Sequence, residues 1–480
     1  MDAQRAIARR MVVGLPSEGL STAWEKDFSA YPPAGVIVFR RDFADLAGLR
    51  NLTRRLRNLA RPRRIFIGID EEGGFVSQLA GHLDVPPNAA LLARGARPGD
   101  IERAARVTGE RLRSLGLDWV FAPVADIHSR PENPVIGPRA FGGDAAPVST
   151  RVAEAVRGFR AAGIGSCLKH FPGHGDTTTD SHLALPRSTA TLAELERREL
   201  APFRDNLDAD AVMTAHVVFD AFDPERPATF SRAIAHQLLR EQLGFAGIAI
   251  TDALEMKGAA EGRSPVEQGR LALEAGCDLL LFAFHSEEVR RARLELARLL
   301  TAGGIDRASF DAARPRLEAF DRRIAEPGED ETARPIAALT PDDWTAWLEG
   351  IVERGLVIEG RLPATNGPWR VTEPAFPHGP SLRSELERQG IAVADDGAAI
   401  ELVAIMTRLP MPADEIARLR ALALERPTVL VGLQNDGWLA TLPEAALRIS
   451  ASDATPLTRR VVAQVLGRTR EQALGSGARG

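Results

Sequence analysis

Cysteine is almost absent from this chain: among 480 residues it occurs only at Cys167 and Cys277. Two thiols cannot build a disulfide framework, and their spacing is not that of a zinc site, so both are expected as buried free thiols inside apolar runs. Lysine is nearly as scarce. It occurs only at Lys26, Lys169 and Lys257, against abundant arginine, and Lys169 stands out by its setting. Basic charge is not in excess: 60 Lys plus Arg face 65 Asp plus Glu, a formal net charge of -5. That balance gives no general pull toward nucleic acid or an anionic membrane, so the expected partner is a small molecule or a neutral polymer. No segment approaches membrane-spanning length, and the opening MDAQRAIARRMVVGLPSEGL has no continuous apolar core of a secretion signal. A soluble, cytoplasmic protein is expected.

What is present is a regular alternation. Short β-branched runs at residues 10–15, 35–39, 64–69, 119–124, 165–171, 211–218, 247–252 and 278–283 are separated by stretches whose apolar residues recur at helical spacing. Such alternation predicts βα units and a parallel sheet covered by helices on its faces. Eight runs are the number a closed (β/α)₈ TIM-type barrel needs, although an open doubly wound sheet has the same periodicity. The barrel is favoured because Asp70, Lys169, His170, His216 and Asp252 fall at or near the C-terminal ends of four different runs, and a barrel gathers those ends at one mouth. At 480 residues a second domain is expected. The barrel is assigned to residues 1–325, an acidic, proline-bearing linker to 326–343, a smaller C-terminal α/β sandwich to 344–474, and a disordered tail to 475–480.

The segment KHFPGHGDTTTDSHLALP, residues 169–186, concentrates the chemistry. Pro172, Gly173 and Gly175 forbid a helix and predict a long loop over the strand ends. It carries His170, His174, His182, Asp176 and Asp180. A metal site would need these histidines without the helical i, i+4 spacing that Pro172 and Gly173 deny them. A structural role, with imidazoles bonding loop backbone, is common for a single histidine and less so for a cluster. The preferred alternative pairs Asp180 with His182, the carboxylate orienting the imidazole and raising its pKa.

Together, KHFPGHGDTTTDSH and ITDALEM resemble the signature of family 3 glycoside hydrolases, in the β-N-acetylglucosaminidase branch that recycles peptidoglycan. IGIDEEGG, NPVIGPRAF and MTAHVVF extend the similarity across roughly residues 10 to 320. The resemblance implies a retaining exo-glycosidase acting on terminal β-linked N-acetylglucosamine. It places the nucleophile on Asp252, the acid/base on His182 with Asp180 as its partner, and sugar binding on Asp70, Arg139, Lys169, His170, His216 and Met256. Such a route uses two protein groups, one attacking the anomeric carbon and one shuttling a proton, and requires no cofactor and no metal. A histidine near neutrality can replace the usual second carboxylate, and a glycine-rich loop can carry it in after substrate binds. Where the family places arginines after EGG, this chain has Phe75 and Gln78, which bears on sugar specificity. Phosphorolysis by the same residues, β-glucosidase or xylosidase activity, a metal-dependent hydrolase and a non-catalytic sugar-binding protein are the alternatives.

Overall fold

A computed structural model describes residues 2–179, 185–260 and 262–477, with side chains as far as residue 474. Its packing divides the chain into two units. The first comprises Met1–Glu72, Ile101–Val135 and Gly143–Thr340, the second Gly73–Asp100, Ile136–Gly142 and Pro341–Gly480.

The first unit is an α/β assembly of parallel strands. Eight of them are β1 (Met11–Val13), β2 (Gly35–Val38), β3 (Phe66–Ile69), β4 (Trp119–Val120), β5 (Cys167–Phe171), β6 (Ala211–Thr214), β7 (Ile248–Thr251) and β8 (Leu280–Phe282). Each coincides with one of the eight runs seen in the sequence. They form a five-stranded sheet in the order β8-β1-β2-β3-β4 and a three-stranded sheet in the order β7-β6-β5. Isolated parallel bridges Trp119↔Gly165 and Val124↔Lys169 link the two sheets on one side, and Ile250↔Leu279 links them on the other.

The strands are apolar on both faces, as their sequences require. Val12, Ile37, Phe121, Met213, Ile250 and Leu281 belong to one buried cluster. Their neighbours Met11, Val13, Leu280 and Phe282 turn the other way, into a cluster with Leu273, Leu296 and Leu300 of the covering helices. That alternation is the two-residue period of a strand buried on each side. The helices begin where the chain provides caps. Asp45 accepts the Gly48 N–H at 2.7 Å to open Leu46–Ala60, and Ser264 accepts the Glu267 N–H to open Pro265–Ala275. Gly276, at φ +114°, ends the latter in the left-handed region that glycine tolerates.

Three aspartates recur at the opposite, N-terminal ends of the strands. Asp118, Asp210 and Asp278 precede β4, β6 and β8, and each accepts a backbone N–H from the preceding strand or its approach: Ile67 at 2.7 Å, Ser166 at 3.0 Å and Ala249 at 2.9 Å. Arginines answer each charge: Arg57 at 3.1 Å, Arg323 at 2.9 Å, and Arg240 and Arg316 at 2.7 and 2.6 Å. Removing a buried carboxylate that serves two guanidiniums strands both charges. Asp278→Ala is therefore expected to cost about 3–5 kcal/mol of unfolding free energy. Glu295→Ala, which breaks an exposed pair with Arg298, should cost under about 1 kcal/mol. Denaturant titration of the two variants checks the contrast.

In the second unit five strands form one sheet, in the order β9 (Val357–Gly360), β13 (Leu447–Ser450), β12 (Thr428–Gly432), β11 (Ile400–Ile405), β10 (Trp369–Thr372). Only the β9–β13 pair is antiparallel. Four of these strands coincide with the runs LVIEGRL, ELVAIMT, TVLVGLQ and AALRISA, which read as strands in the sequence. Strand β10 was not anticipated, being four residues with an internal arginine beside Pro368. The helix Ala89–Gly95 packs on Trp344–Gly355 through glycine: a Cβ at Gly95 would lie 1.9 Å from the Ile351 carbonyl oxygen, and one at Gly355 would lie 2.6 Å from that of Leu91. The segment expected to be a linker contains a helical turn, Glu329–Ala333, and Glu331 there accepts both Nε and Nη2 of Arg113 at 2.7 Å.

Both cysteines are free and buried, as expected, and burial pushes the Cys277 thiol up to about 12. No helix among the described residues is long and apolar enough to cross a membrane.

Candidate active site

The polar residues that the sequence put at strand ends do lie there. Asp252 directly follows β7, its N–H bonded to the Thr214 carbonyl of β6 at 3.2 Å and its Oδ1 accepting the Ala253 N–H at 2.7 Å. It caps no helix, since the next one begins at Lys257. Burial alone would raise this carboxylate. The His170 and His216 rings, the Ala253 N–H and Lys169 outweigh that effect and hold it below its ordinary value. Asp252 is thus a partly exposed, firmly ionised carboxylate.

His216 lies two residues beyond β6, buried. Its Nε2 donates to the Ala253 carbonyl at 3.0 Å and its Nδ1 bonds Thr229 Oγ1 at 2.9 Å, so the ring braces the residue next to Asp252. Met256 sits one turn further on, its N–H bonded to the same Ala253 carbonyl at 3.1 Å.

Lys169 and His170 occupy the C-terminal half of β5. The Lys169 ammonium crosses to the end of β3, donating to Asp70 Oδ1 at 2.7 Å and pairing with Glu72 Oε1 at 2.6 Å. Asp70 keeps 23% of its side chain exposed while the lysine is nearly buried, which leaves the carboxylate open to accept further hydrogen bonds. His170 Nδ1 donates to Asp126 Oδ2 at 2.7 Å. Asp126, fully buried, also accepts the N–H groups of His170 and of His174, the latter at 2.7 Å. Burial would raise Asp126, but the paired His170 and these donors lower it. It therefore fixes both the tautomer and the tilt of the His170 ring.

The loop after β5 is anchored as far as it is described. Asp176 is held by Arg130 at 2.8 Å, by Ser188 at 2.7 Å and by Arg198 at 3.2 Å. Asn133 donates its amide to the carbonyls of His174 and Gly175. Gly175 has no alternative, because a Cβ there would lie 1.5 Å from the Ile127 carbonyl oxygen. Asp180 and His182 lie outside the described residues. Arg139 stands in the turn Gly137–Arg139 of the second unit. Phe75 lies in the Gly73–Asp100 segment of the same unit, the Arg408 guanidinium 5.4 Å from its ring centroid.

Reading along the chain missed Asp126, Glu72, Asn133 and the anchoring role of Asp176. Asp126 lies just past the 119–124 run, so the strand-end rule that found Asp252 could have found it. Glu72 sits in the quoted IGIDEEGG segment. Neither partner is local, and each becomes evident only when β3, β4 and β5 are side by side.

Residues 13–319 match the glycosyl hydrolase family 3 N terminal domain. The chain belongs to glycosyl hydrolase family 3. Every residue just described in the first unit's site falls within that match. This family 3 chain is 37% identical over 301 residues to a β-hexosaminidase of Chromobacterium violaceum, covering 61% of itself and 84% of that protein. It is 34% identical over 299 residues to β-hexosaminidase A of Pseudoalteromonas piscicida, covering 57% of itself and only half of that longer chain. It also matches the structure of a glycoside hydrolase family 3 β-N-acetylglucosaminidase from Paenibacillus sp. str. FPU-7, with a TM-score of 0.90 and 30% identity over 97% of this chain and 96% of that one. The chain is accordingly a glycoside hydrolase of the β-hexosaminidase type.

Proposed function

We propose that this family 3 enzyme is a retaining exo-glycosidase that removes terminal β-linked N-acetylglucosamine, with Asp252 as nucleophile and His182, partnered by Asp180, as acid/base. The observation that carries the proposal is the placing of the Asp252 carboxylate directly after β7, beside an Ala253 braced by His216, where His170, His216 and Lys169 hold it below its ordinary value. A nucleophile must be deprotonated when the sugar arrives, and these groups keep it so. In the first step Asp252 displaces the aglycone at the anomeric carbon while the imidazolium of His182 protonates the departing oxygen. In the second the neutral imidazole deprotonates water, which releases the sugar from Asp252 with its original configuration. Asp70 accepts hydrogen bonds from sugar hydroxyls while Lys169, itself paired with Glu72, holds it still, and His170 is oriented by Asp126.

The same proposal makes the first unit a closed (β/α)₈ barrel. Its support is the run of parallel pairings from β8 through β4, the pairings from β5 through β7, and the bridges at both seams between them. The sheet of the second unit is taken as an α/β sandwich. The names of the Chromobacterium and Paenibacillus proteins support an N-acetylhexosamine substrate, and a muropeptide-type saccharide from cell-wall turnover is the proposed natural source, with the enzyme in the cytoplasm.

Aryl β-glycosides of N-acetylglucosamine, glucose and xylose, each assayed with and without phosphate, test the assignment. N-acetylglucosaminide turnover that ignores phosphate and releases free sugar is expected. A glycosyl phosphate product would make the enzyme a phosphorylase, and preference for glucoside or xyloside would overturn the substrate assignment.

A further inference from the structure

Beyond the end of β8 stands an aromatic side chain to which the proposed catalytic cycle gives no task. Phe284 is 46% exposed, among the most open large apolar residues described. It is nevertheless not free to swing. The Arg41 guanidinium lies 4.1 Å from its ring centroid and 4.2 Å from that of Phe39, so the cation is sandwiched between two phenyl rings. Arg41 is itself fixed, its Nη2 donating to the Ala283 carbonyl at 2.8 Å and its Nε 3.9 Å from Asp42. Phe39 directly follows β2 and packs against the buried cluster inside the strands. The backbone under Phe284 is held from the other side. Glu255 accepts the N–H groups of Ala283 and Phe284 at 3.0 and 3.1 Å.

Glu255 belongs to ITDALEM, three residues after Asp252. One carboxylate therefore ties the segment carrying the proposed nucleophile to the segment carrying the exposed ring. Both segments leave adjacent parallel strands at the same end, with Leu254 N–H bonded to the Leu281 carbonyl at 3.0 Å. By the pairing of Ile250 with Leu279, Phe284 comes later past its strand than Asp252 does past β7, and it is more open to water. It is thus placed where the part of the substrate beyond the scissile bond would pass.

We propose that Phe284, held flat by Arg41 and Glu255, is the platform on which the ring of the leaving sugar stacks, and so a specificity-determining residue for the aglycone. This rests on the glycosidase function proposed above. A β-linked pyranose offers a face of axial C–H bonds, and an aromatic face, negative at its centre, is the surface that matches it. Because the ring is already immobilised by a cation–π stack, the ligand bears little of the cost of ordering it.

The test compares kcat/KM for two substrates that share the N-acetylglucosaminyl group and differ in the leaving group: its β-1,4-linked disaccharide, and the β-glycosyl fluoride, which has no aglycone ring. In Phe284→Ala the disaccharide should lose about tenfold in kcat/KM, the scale of one aromatic contact, while the fluoride stays within about twofold. Phe284→Trp should keep the wild-type ratio. Fluoride turnover also certifies that each variant is folded. An unchanged ratio in Phe284→Ala, or an equal fall for both substrates, overturns the platform and leaves the glycosidase assignment standing. A wild-type enzyme that cleaves neither substrate overturns that assignment and the platform with it.

Discussion

Asp252→Ala should abolish turnover, lowering kcat by roughly 10⁵-fold, the scale seen when a nucleophile is deleted from an otherwise intact site. The loss should be the same for good and poor leaving groups, because without the carboxylate no glycosyl-enzyme forms whatever departs. The pH dependence follows from the surroundings of Asp252. With the carboxylate held below its ordinary value by His170, His216 and Lys169, the enzyme stays active as pH falls through the usual carboxylate range. Its acid limb in kcat/KM comes only when Asp252 at last takes up a proton. Steady-state kinetics with dinitrophenyl and methyl N-acetylglucosaminides, across pH, checks both points. A residual rate that depends on the leaving group would remove Asp252 from the nucleophile's role.

His182→Ala should behave in the opposite way. Loss of the acid should cost on the order of 10³-fold with a poor leaving group that needs a proton, within the usual range for general acid catalysis, and far less with dinitrophenolate. Because the imidazole also serves as base in the second step, this variant should accumulate glycosyl-enzyme and show a burst. Azide, which needs no base, should restore turnover and yield a β-glycosyl azide. Asp180→Ala should be a milder copy, since the ring stays while its orienting partner is lost. Equal losses on activated and unactivated substrates, with neither burst nor azide product, would reassign the acid/base.

Much of this architecture was legible in the sequence because it is local. The run GVIVF is apolar at every position and GIAITD is apolar through its first four, the pattern of a strand covered on both faces, and all eight first-unit runs contain strands. Their lengths were less legible. The run WVFAPV is a strand only at Trp119–Val120: chain geometry rather than hydrophobicity ends it. Positions of Asp70, Lys169, His170, His216 and Asp252 could be read from the strand-end rule, but their pairings could not. Lys169 lies 99 residues from Asp70, and Asp126 lies 44 from His170, and no periodicity records which strand end meets which. Nor does the sequence announce that Gly73–Asp100 packs with residues after 341. That contact depends on Gly95 and Gly355 admitting a neighbouring backbone, and a glycine in a helix gives no hydrophobic signal. The trio Asp118, Asp210 and Asp278 is a quieter case, visible as a pattern only once the strands it precedes are known.

The central claim is that a covalent bond forms between Asp252 and the sugar. Incubating the enzyme with the 5-fluoro analogue of the N-acetylglucosaminyl fluoride should trap that intermediate, because the ring fluorine slows both oxocarbenium-like steps while the good anomeric fluoride leaving group keeps the first one fast. Proteolysis and mass spectrometry should then find one sugar per chain, on the peptide containing ITDALEM, with fragmentation placing it on Asp252. A label on any other residue, or rapid turnover of the fluoride to the inverted sugar with no label at all, would contradict the account.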